Sequence, residues 1–130
     1  MLFRSDRADQ RVFYAPWRED PRPLGALLQG TYAHIGVTDY WRLRRHQVTG
    51  PDALAAAEQF ARWRMMTAEA IETLASSGAL TALGTRFVGG MRATVEPWLS
   101  DPVPESVAKE AQRWHAERRA AWIRRKEARA

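Results

Sequence analysis

The sequence has 130 residues (14.8 kDa), of which 45% are hydrophobic and 27% are charged, as in a single globular domain. The absence of cysteine excludes disulfides, cysteine-ligated zinc, iron–sulfur clusters and thiol nucleophiles. No apolar run reaches the ~18 residues of a transmembrane helix, and residues 1–10 mix charged and apolar side chains too closely for a secretory signal, so we expect a cytoplasmic protein without a membrane partner.

Residues 1–23 form the first segment, and their composition predicts an irregular N-terminal arm. Prolines at positions 16, 21 and 23 interrupt regular structure because proline lacks the backbone N–H that helices and sheets use. Only residues 12–14 are expected to form a short strand. The arm also holds a cluster of aromatic side chains, Phe13, Tyr14 and Trp17.

Helical periodicity begins at Leu24 and predicts helices over about 24–45, 52–76 and 82–96, and from Glu105 towards the C terminus. Pro51 suits the first turn of the second helix, Gly78 suits the cap after it, and Thr81 can cap the third. The sequence therefore predicts an all-α fold, a bundle of about four helices over residues 24–130 that follows the arm.

The apolar stripes of these helices predict the core residues. We expect the core to contain Leu27, Leu28, Ile35, Phe60, Ile71, Leu74, Phe87, Met91 and Trp114. The apolar face of the third helix is predicted to comprise Leu83, Phe87, Met91, Thr94 and Val95. Gly89 and Gly90 inside that helix favour close packing against a neighbouring helix.

Three arginines depart from the expected pattern. At about 100° per residue, Arg64 lies in the middle of the apolar face of the second helix. A buried guanidinium needs an anion or must extend to solvent. The anion would be either an internal acid, such as Glu72 or one from the arm, or a ligand carboxylate. Arg18 and Arg22 lie with Glu19 and Asp20 in the charged, proline-rich loop of the arm, where bidentate pairing of an arginine with a carboxylate can pin the loop or hold an anion.

His34 lies at the border of the first helix's apolar stripe, and Gly30, one turn earlier, opens space beside its imidazole. A single histidine at such a border is typically a hydrogen-bonded structural residue. None of the three histidines lies one helical turn from another, so the sequence contains no HExxH-type metal-binding pair.

The net charge of +5 comes largely from the C-terminal stretch, residues 113–129. A basic last helix is typical of a solvated face whose cations complement the helix dipole. Nucleic-acid contact is the less favoured alternative, because neither an RNA-stacking signature nor a zinc finger accompanies the charge.

The segment FYAPWREDPRPLGALLQGTYAHIGVTDYW, residues 13–41, resembles the bacterial HEXXH motif-containing family of peptide-modification proteins. FARWR (60–64), SGALTALGTRFVGGMR (77–92) and PWL (97–99) resemble the same family in the same order. The resemblance implies enzymes associated with ribosomally made peptides, some of them iron(II)- and 2-oxoglutarate-dependent peptide β-hydroxylases.

In that family an HExxH helix precedes the YAPWR-like block, whereas this sequence begins twelve residues before the block and contains no HExxH. The resemblance therefore implies the C-terminal part of a truncated or split enzyme, inactive and without a cofactor on its own. Its partners would be a ribosomal peptide substrate and a complementing HExxH-bearing polypeptide. The resemblance makes His34, within TYAH, the single candidate metal ligand. It offers Arg64, Arg18 and Arg22 for the 2-oxoglutarate carboxylate.

Two other functions stay open. The first is a non-enzymatic helical module that binds a peptide or a protein, and the second is a basic nucleic-acid-binding domain. If the HExxH part is missing, we also expect an exposed apolar surface lined by Tyr32, His34 and Trp41, with self-association as a consequence.

Overall fold

A computed structural model describes residues 1–4 and 10–129, and the remaining positions of the predicted arm and of the last helix lie outside it. The described chain forms four α-helices: α1 (Leu24–Arg44), α2 (Gly50–Ala75), α3 (Ala82–Val95) and α4 (Glu105–Arg129). A short 3₁₀ helix, Glu96–Ser100, follows α3 directly. The predicted all-α bundle is confirmed. None of the helices in the described ranges is long and apolar enough to cross a membrane.

The ends of the helices lie within two residues of the predicted positions, and local chemistry explains them. Gly78 has a φ of 74°, a left-handed conformation that glycine adopts without strain, and it follows the end of α2. The Thr81 hydroxyl accepts a hydrogen bond from the Gly84 N–H at 3.1 Å, which caps α3 as predicted.

The arm contains more regular structure than predicted. Strand β1 (Val12–Phe13) pairs antiparallel with strand β2 (Arg22–Pro23), with Val12 opposite Pro23 and Phe13 opposite Arg22. The expectation that only residues 12–14 would be extended was wrong. A proline is tolerated here because each strand of a two-stranded ribbon has a free edge, where no N–H donor is needed.

Helix α2 is the centre of the bundle, since α1, α3 and α4 all pack against it. One apolar cluster joins the arm, α1, α2 and α3, and a second joins α2 to α4 through Ala57, Ala61, Val107 and Ala111. Of the predicted core residues, the structure buries Leu27, Leu28, Phe60, Ile71, Leu74 and Met91. Ile35 and Trp114 are half-buried.

The predicted apolar face of α3 is confirmed at Met91 and Val95 and was wrong at Leu83, Phe87 and Thr94. Phe87 is 37% exposed and Leu83 is 49% exposed. The buried residues of α3 are instead Gly84, Val88, Met91 and Val95. This stripe is rotated from the predicted one because Gly84 packs against the beginning of the chain.

The first residues of the chain lie across the start of α3. The Thr81 N–H donates to the Leu2 carbonyl at 3.0 Å, and the Arg4 N–H donates to the Ala79 carbonyl at 2.8 Å. A Cβ atom at Gly84 would overlap the Leu2 carbonyl group. Glycine at position 84 therefore permits this close backbone approach.

We predict that Gly84→Ala lowers the free energy of unfolding by about 1–3 kcal/mol, because the added methyl displaces the backbone of Leu2. Gly89→Ala is the matched control, since a Cβ at Gly89 meets no atom within 4 Å. It should raise stability by about 0.5–1 kcal/mol through helix propensity. Urea unfolding measures both, and equal effects of the two substitutions would contradict the packing described.

Candidate functional site

His34 lies between two indole rings. Its ring centroid is 4.6 Å from that of Trp17, and it is also 4.6 Å from that of Trp63, with interplanar angles of 35° and 11°. Nδ1 lies 2.6 Å from the Gly30 carbonyl oxygen. Because a carbonyl can only accept, Nδ1 is the donor in this contact, and in a neutral imidazole Nε2 then carries the lone pair. Stacking and this hydrogen bond together fix the imidazole.

Gly30 has a role different from the predicted one. A Cβ at this position would lie 2.8 Å from Cζ2 of Trp17. The space that glycine leaves beside α1 is therefore filled by the Trp17 indole, which covers His34 from the side of the arm. The sequence indicated the space but not its occupant.

A cleft of about 270 Å³ lies beside this stack and is lined by three tryptophans, Trp17, Trp63 and Trp114, together with Gln59, Arg62, Met66 and Arg118. Guanidinium carbons lie over the Trp114 ring, that of Arg62 at 4.7 Å and that of Arg118 at 4.9 Å from its centroid. Arg62 also pairs with Glu110. Cation–π contacts and an ion pair thus support the wall that α4 contributes.

The donor set around His34 does not fit a complete iron site. Within residues 1–4 and 10–129, no group of three His, Cys, Asp or Glu side chains is placed to hold a metal ion. A facial iron site needs three protein ligands. We therefore assign no catalytic step to the residues of this chain.

Arg64 is buried as predicted, at 8% exposure, and its partners are main-chain carbonyls. Its Nη1 donates to the carbonyl oxygens of Trp98 and Asp101, both at 2.8 Å. Burial lowers the pKa of Arg64, and the nearby charge of Arg45 lowers it further. The alternative of an ion pair with Glu72 was wrong, since Glu72 pairs with Arg92.

Arg45, which directly follows α1, binds the same segment between α3 and α4 that Arg64 binds. Its guanidinium lies 4.5 Å from the Phe60 ring centroid, and that of Arg64 lies 5.0 Å from it. Arg45 donates to the Pro102 carbonyl at 2.8 Å and lies 3.5 Å from a carboxylate oxygen of Asp101. We call Arg45, Phe60 and Arg64 the arginine clamp, because they hold residues 98–102. An anion is not required to explain the burial of Arg64.

The predicted pairing in the arm is present. Arg18 Nε lies 3.0 Å from Oδ1 of Asp20, and Nη2 lies 3.1 Å from Oδ2, a bidentate contact. Hydrogen bonding to Arg18 lowers the pKa of Asp20. Arg22 lies in β2 opposite Phe13. Arg18 and Arg64 bind different parts of the chain, so the structure does not assemble the predicted arginines around one ligand.

The basic residues of α4 contribute to packing. Arg118 donates to the Pro16 carbonyl at 3.1 Å, and Arg119 pairs with Glu69. His115 Nε2 lies 2.6 Å from the other oxygen of Glu69. Burial lowers the pKa of His115, and the nearby charge of Arg118 lowers it further. Arg118 and Arg119 therefore help to hold α4 against the arm and α2.

A groove of about 520 Å³ runs between α1 and α3 and is lined by Tyr32, Ile35, Gly36, Arg86, Phe87, Gly90, Met91 and Thr94. We call it the α1–α3 groove. Tyr32 is 64% exposed, and its ring stacks on that of Phe87 at 5.9 Å between centroids. The predicted surface of Tyr32, His34 and Trp41 is not assembled, because the tryptophan stack covers His34.

The glycines of the groove are not explained by packing within the chain. A Cβ at Gly36 or Gly90 would meet no atom within 4 Å. Neither residue has a positive φ. The prediction that Gly89 and Gly90 serve close packing inside the fold was therefore wrong. Each glycine inside a helix costs about 0.5–1 kcal/mol relative to alanine, and at Gly36 and Gly90 the missing side chain leaves open space at the groove.

The α1 wall of the groove carries no charge. From Leu24 to Thr38 the sequence contains no Asp, Glu, Lys or Arg. The exposed residues of this stretch are Gly25, Gln29, Tyr32, Ala33 and Gly36. A helix face in contact with water usually carries charged residues, so this face has the composition of an interface.

No protein-family model, curated protein or solved structure matches the chain. The resemblance of residues 13–41 to the HEXXH motif-containing family stays a prediction. The functional argument therefore rests on the geometry of the groove, the tryptophan stack and the arginine clamp.

We predict that Arg64→Met lowers the free energy of unfolding by about 2–3 kcal/mol, because two partly buried carbonyls lose a charged donor. Arg113→Met, the same change on the exposed side of α4, should stay within about 0.5 kcal/mol of the parent. Urea unfolding measures both free energies. An unchanged or raised stability of Arg64→Met would show that the clamp does not hold residues 98–102.

Proposed function

We propose that this protein is a helical binding module whose α1–α3 groove receives an acidic amphipathic helix of a partner peptide or protein. The observation that carries the proposal is the uncharged, glycine-containing wall of α1. Exposed Tyr32 and Phe87 provide aromatic contact area at the groove. Aromatic side chains of this kind contribute strongly to protein interfaces.

The walls of the groove favour a helix over an extended strand as the occupant. Both walls are α-helices, so their backbone groups are bonded internally and offer no edge to an added strand. A helix satisfies its own backbone and can lay its apolar face in such a groove. Gly36 and Gly90 allow its backbone to come close.

Charge favours an acidic partner. Arg86 is the charged residue among those that line the groove, and the chain has a net charge of +5. Opposite charge on the partner would speed association and orient the helix through Arg86. A basic partner would be disfavoured by the same charge.

We predict that an amphipathic peptide of about 20 residues, with leucine on one face and glutamate on the other, binds with a Kd of about 10 µM or tighter. Gly36→Arg should weaken binding about tenfold, because the new side chain fills the groove. Fluorescence anisotropy of the labelled peptide measures both affinities.

Ala55→Arg is the control, since Ala55 is exposed on α2 and receives the same added charge. It should bind the peptide as the parent does. Equal weakening by both substitutions, or an absence of saturable binding, would refute the groove as the docking site.

The second candidate is the part of a peptide-modifying enzyme that the family resemblance implies, completed by an HExxH-bearing polypeptide. The geometry of His34 favours it, because metal-ligating histidines usually donate their other ring N–H to a carbonyl or carboxylate. Nδ1–H of His34 donates to Gly30 in this way, which leaves Nε2 to ligate. Iron(II) and 2-oxoglutarate would then act only in the assembled enzyme.

We predict for this candidate that an HExxH-bearing polypeptide encoded beside this protein co-purifies with it, and that the complex holds iron. His34→Ala should lose the iron, because it removes one ligand. His46→Ala, at an exposed histidine, should keep it. The iron content of each purified complex is measured by mass spectrometry. If the complex with the His34→Ala variant keeps its iron, His34 is not a ligand.

A further inference from the structure

A small pocket lies where the arm meets the second half of α4, and it belongs neither to the groove nor to the tryptophan cleft. It is lined by Tyr14, Arg18, Glu19, Arg118, Ala121 and Arg125. Its volume is about 110 Å³, which corresponds to about four water molecules at ~30 Å³ each. Three guanidinium groups lie at this space, and the carboxylates of Glu19 and of Asp20, the partner of Arg18, offset them only in part, so cations are in excess.

Two residues of the pocket bury polar atoms that have no hydrogen-bond partner in the described part of the chain. Tyr14 is 6% exposed, and its hydroxyl is one of these atoms. The Nε of Arg125 is the other. A guanidinium N–H can only donate, and burying a donor without an acceptor costs about 1–3 kcal/mol. These two groups therefore have no partner in the described part of the chain.

The arginines are already held in place by the surrounding backbone. Arg118 donates to the Pro16 carbonyl at 3.1 Å, and Arg125 Nη2 donates to the Glu19 carbonyl at 3.2 Å. The bidentate contact with Asp20 orients Arg18. Side chains fixed in this way lose little conformational entropy when they bind a ligand.

The aromatic wall is equally fixed. The Tyr14 ring lies 5.0 Å from the Trp122 ring between centroids. Burial raises the pKa of Tyr14 despite the opposing charges of Arg118, Arg119 and Arg125. The phenol is therefore protonated at neutral pH, and its O–H can donate into the pocket.

We propose that this arm–α4 pocket binds a compact oxyanion of the phosphate class, either free or as a terminal phosphomonoester. Guanidinium groups match the geometry of phosphate oxygens and bind them through charge-assisted hydrogen bonds. A phosphate would accept hydrogen bonds from the guanidinium groups that line the pocket, and its charge offsets the excess of cations. Arg18, predicted from the sequence as an anion-binding residue, contributes to this site. The proposal does not depend on the α1–α3 groove.

The test is calorimetric titration of the full chain with inorganic phosphate and, separately, with phosphoserine, both at constant ionic strength. We expect saturable binding of at least one of them with a Kd of about 1 mM or tighter, and a rise in Tm with ligand concentration. Phosphoserine binding more tightly than phosphate would identify a phosphomonoester as the ligand, and the reverse order would identify the free ion.

Matched variants separate the pocket from general electrostatic attraction. Arg125→Gln should weaken binding by at least about tenfold, whereas Arg124→Gln, the exposed neighbour with the same charge change, should leave the Kd unchanged. Tyr14→Phe keeps the ring and should weaken binding several-fold. Equal losses in the two arginine variants would overturn the proposal, as would acetate binding as tightly as phosphate. Failure of either phosphate ligand to saturate the protein would also overturn it.

Discussion

The guanidinium of Arg64 imposes the constraint on which the rest of the bundle depends. A buried cation must find acceptors, and the carbonyls of Trp98 and Asp101 supply them. Residues 98–102 are thereby held on α2, with Arg45 binding the same connection from α1. This segment joins the end of α3 to the beginning of α4, so its attachment to α2 limits where both helix ends can lie. Helix α4 then packs on α2 and the arm, while α1 and α3 keep the groove between them.

The two long outer helices differ in chemistry, and the difference separates two binding surfaces. The first four turns of α1 carry no charged residue although one side is exposed, whereas α4 is rich in cations. An uncharged face suits the apolar side of a partner helix, and the guanidinium groups between α4 and the arm suit an oxyanion. The groove is lined by α1 and α3, and the pocket by the arm and α4. The two proposed sites therefore suit ligands of different chemistry.

The features that could be predicted from the sequence are those that neighbouring residues determine. The four helices, the Thr81 cap and the burial of Arg64 followed from periodicity and residue type, which act over one or two turns. The partners of Arg64 could not be predicted, because they are main-chain carbonyls distant in sequence and every residue carries such a group.

The orientation of α3 and the tryptophan stack illustrate the same limit. The buried stripe of α3 depends on contact with the backbone of Leu2, some eighty residues away in sequence. The residue pattern within α3 cannot indicate that contact. His34 was predicted as a border residue, but its position between Trp17 and Trp63 requires the arm and α2 to meet at α1. Gly36 and Gly90 became informative only when the structure showed open space around them.

If α1 and α3 together form the docking site for a partner helix, ¹H–¹⁵N NMR spectra of the protein titrated with the acidic amphipathic peptide will locate it. We expect the largest chemical-shift changes in residues 32–36 and 86–94, on the two walls of the groove. Changes centred on residues 113–129 of α4 would show that the peptide follows the basic charge, and would contradict docking in the groove.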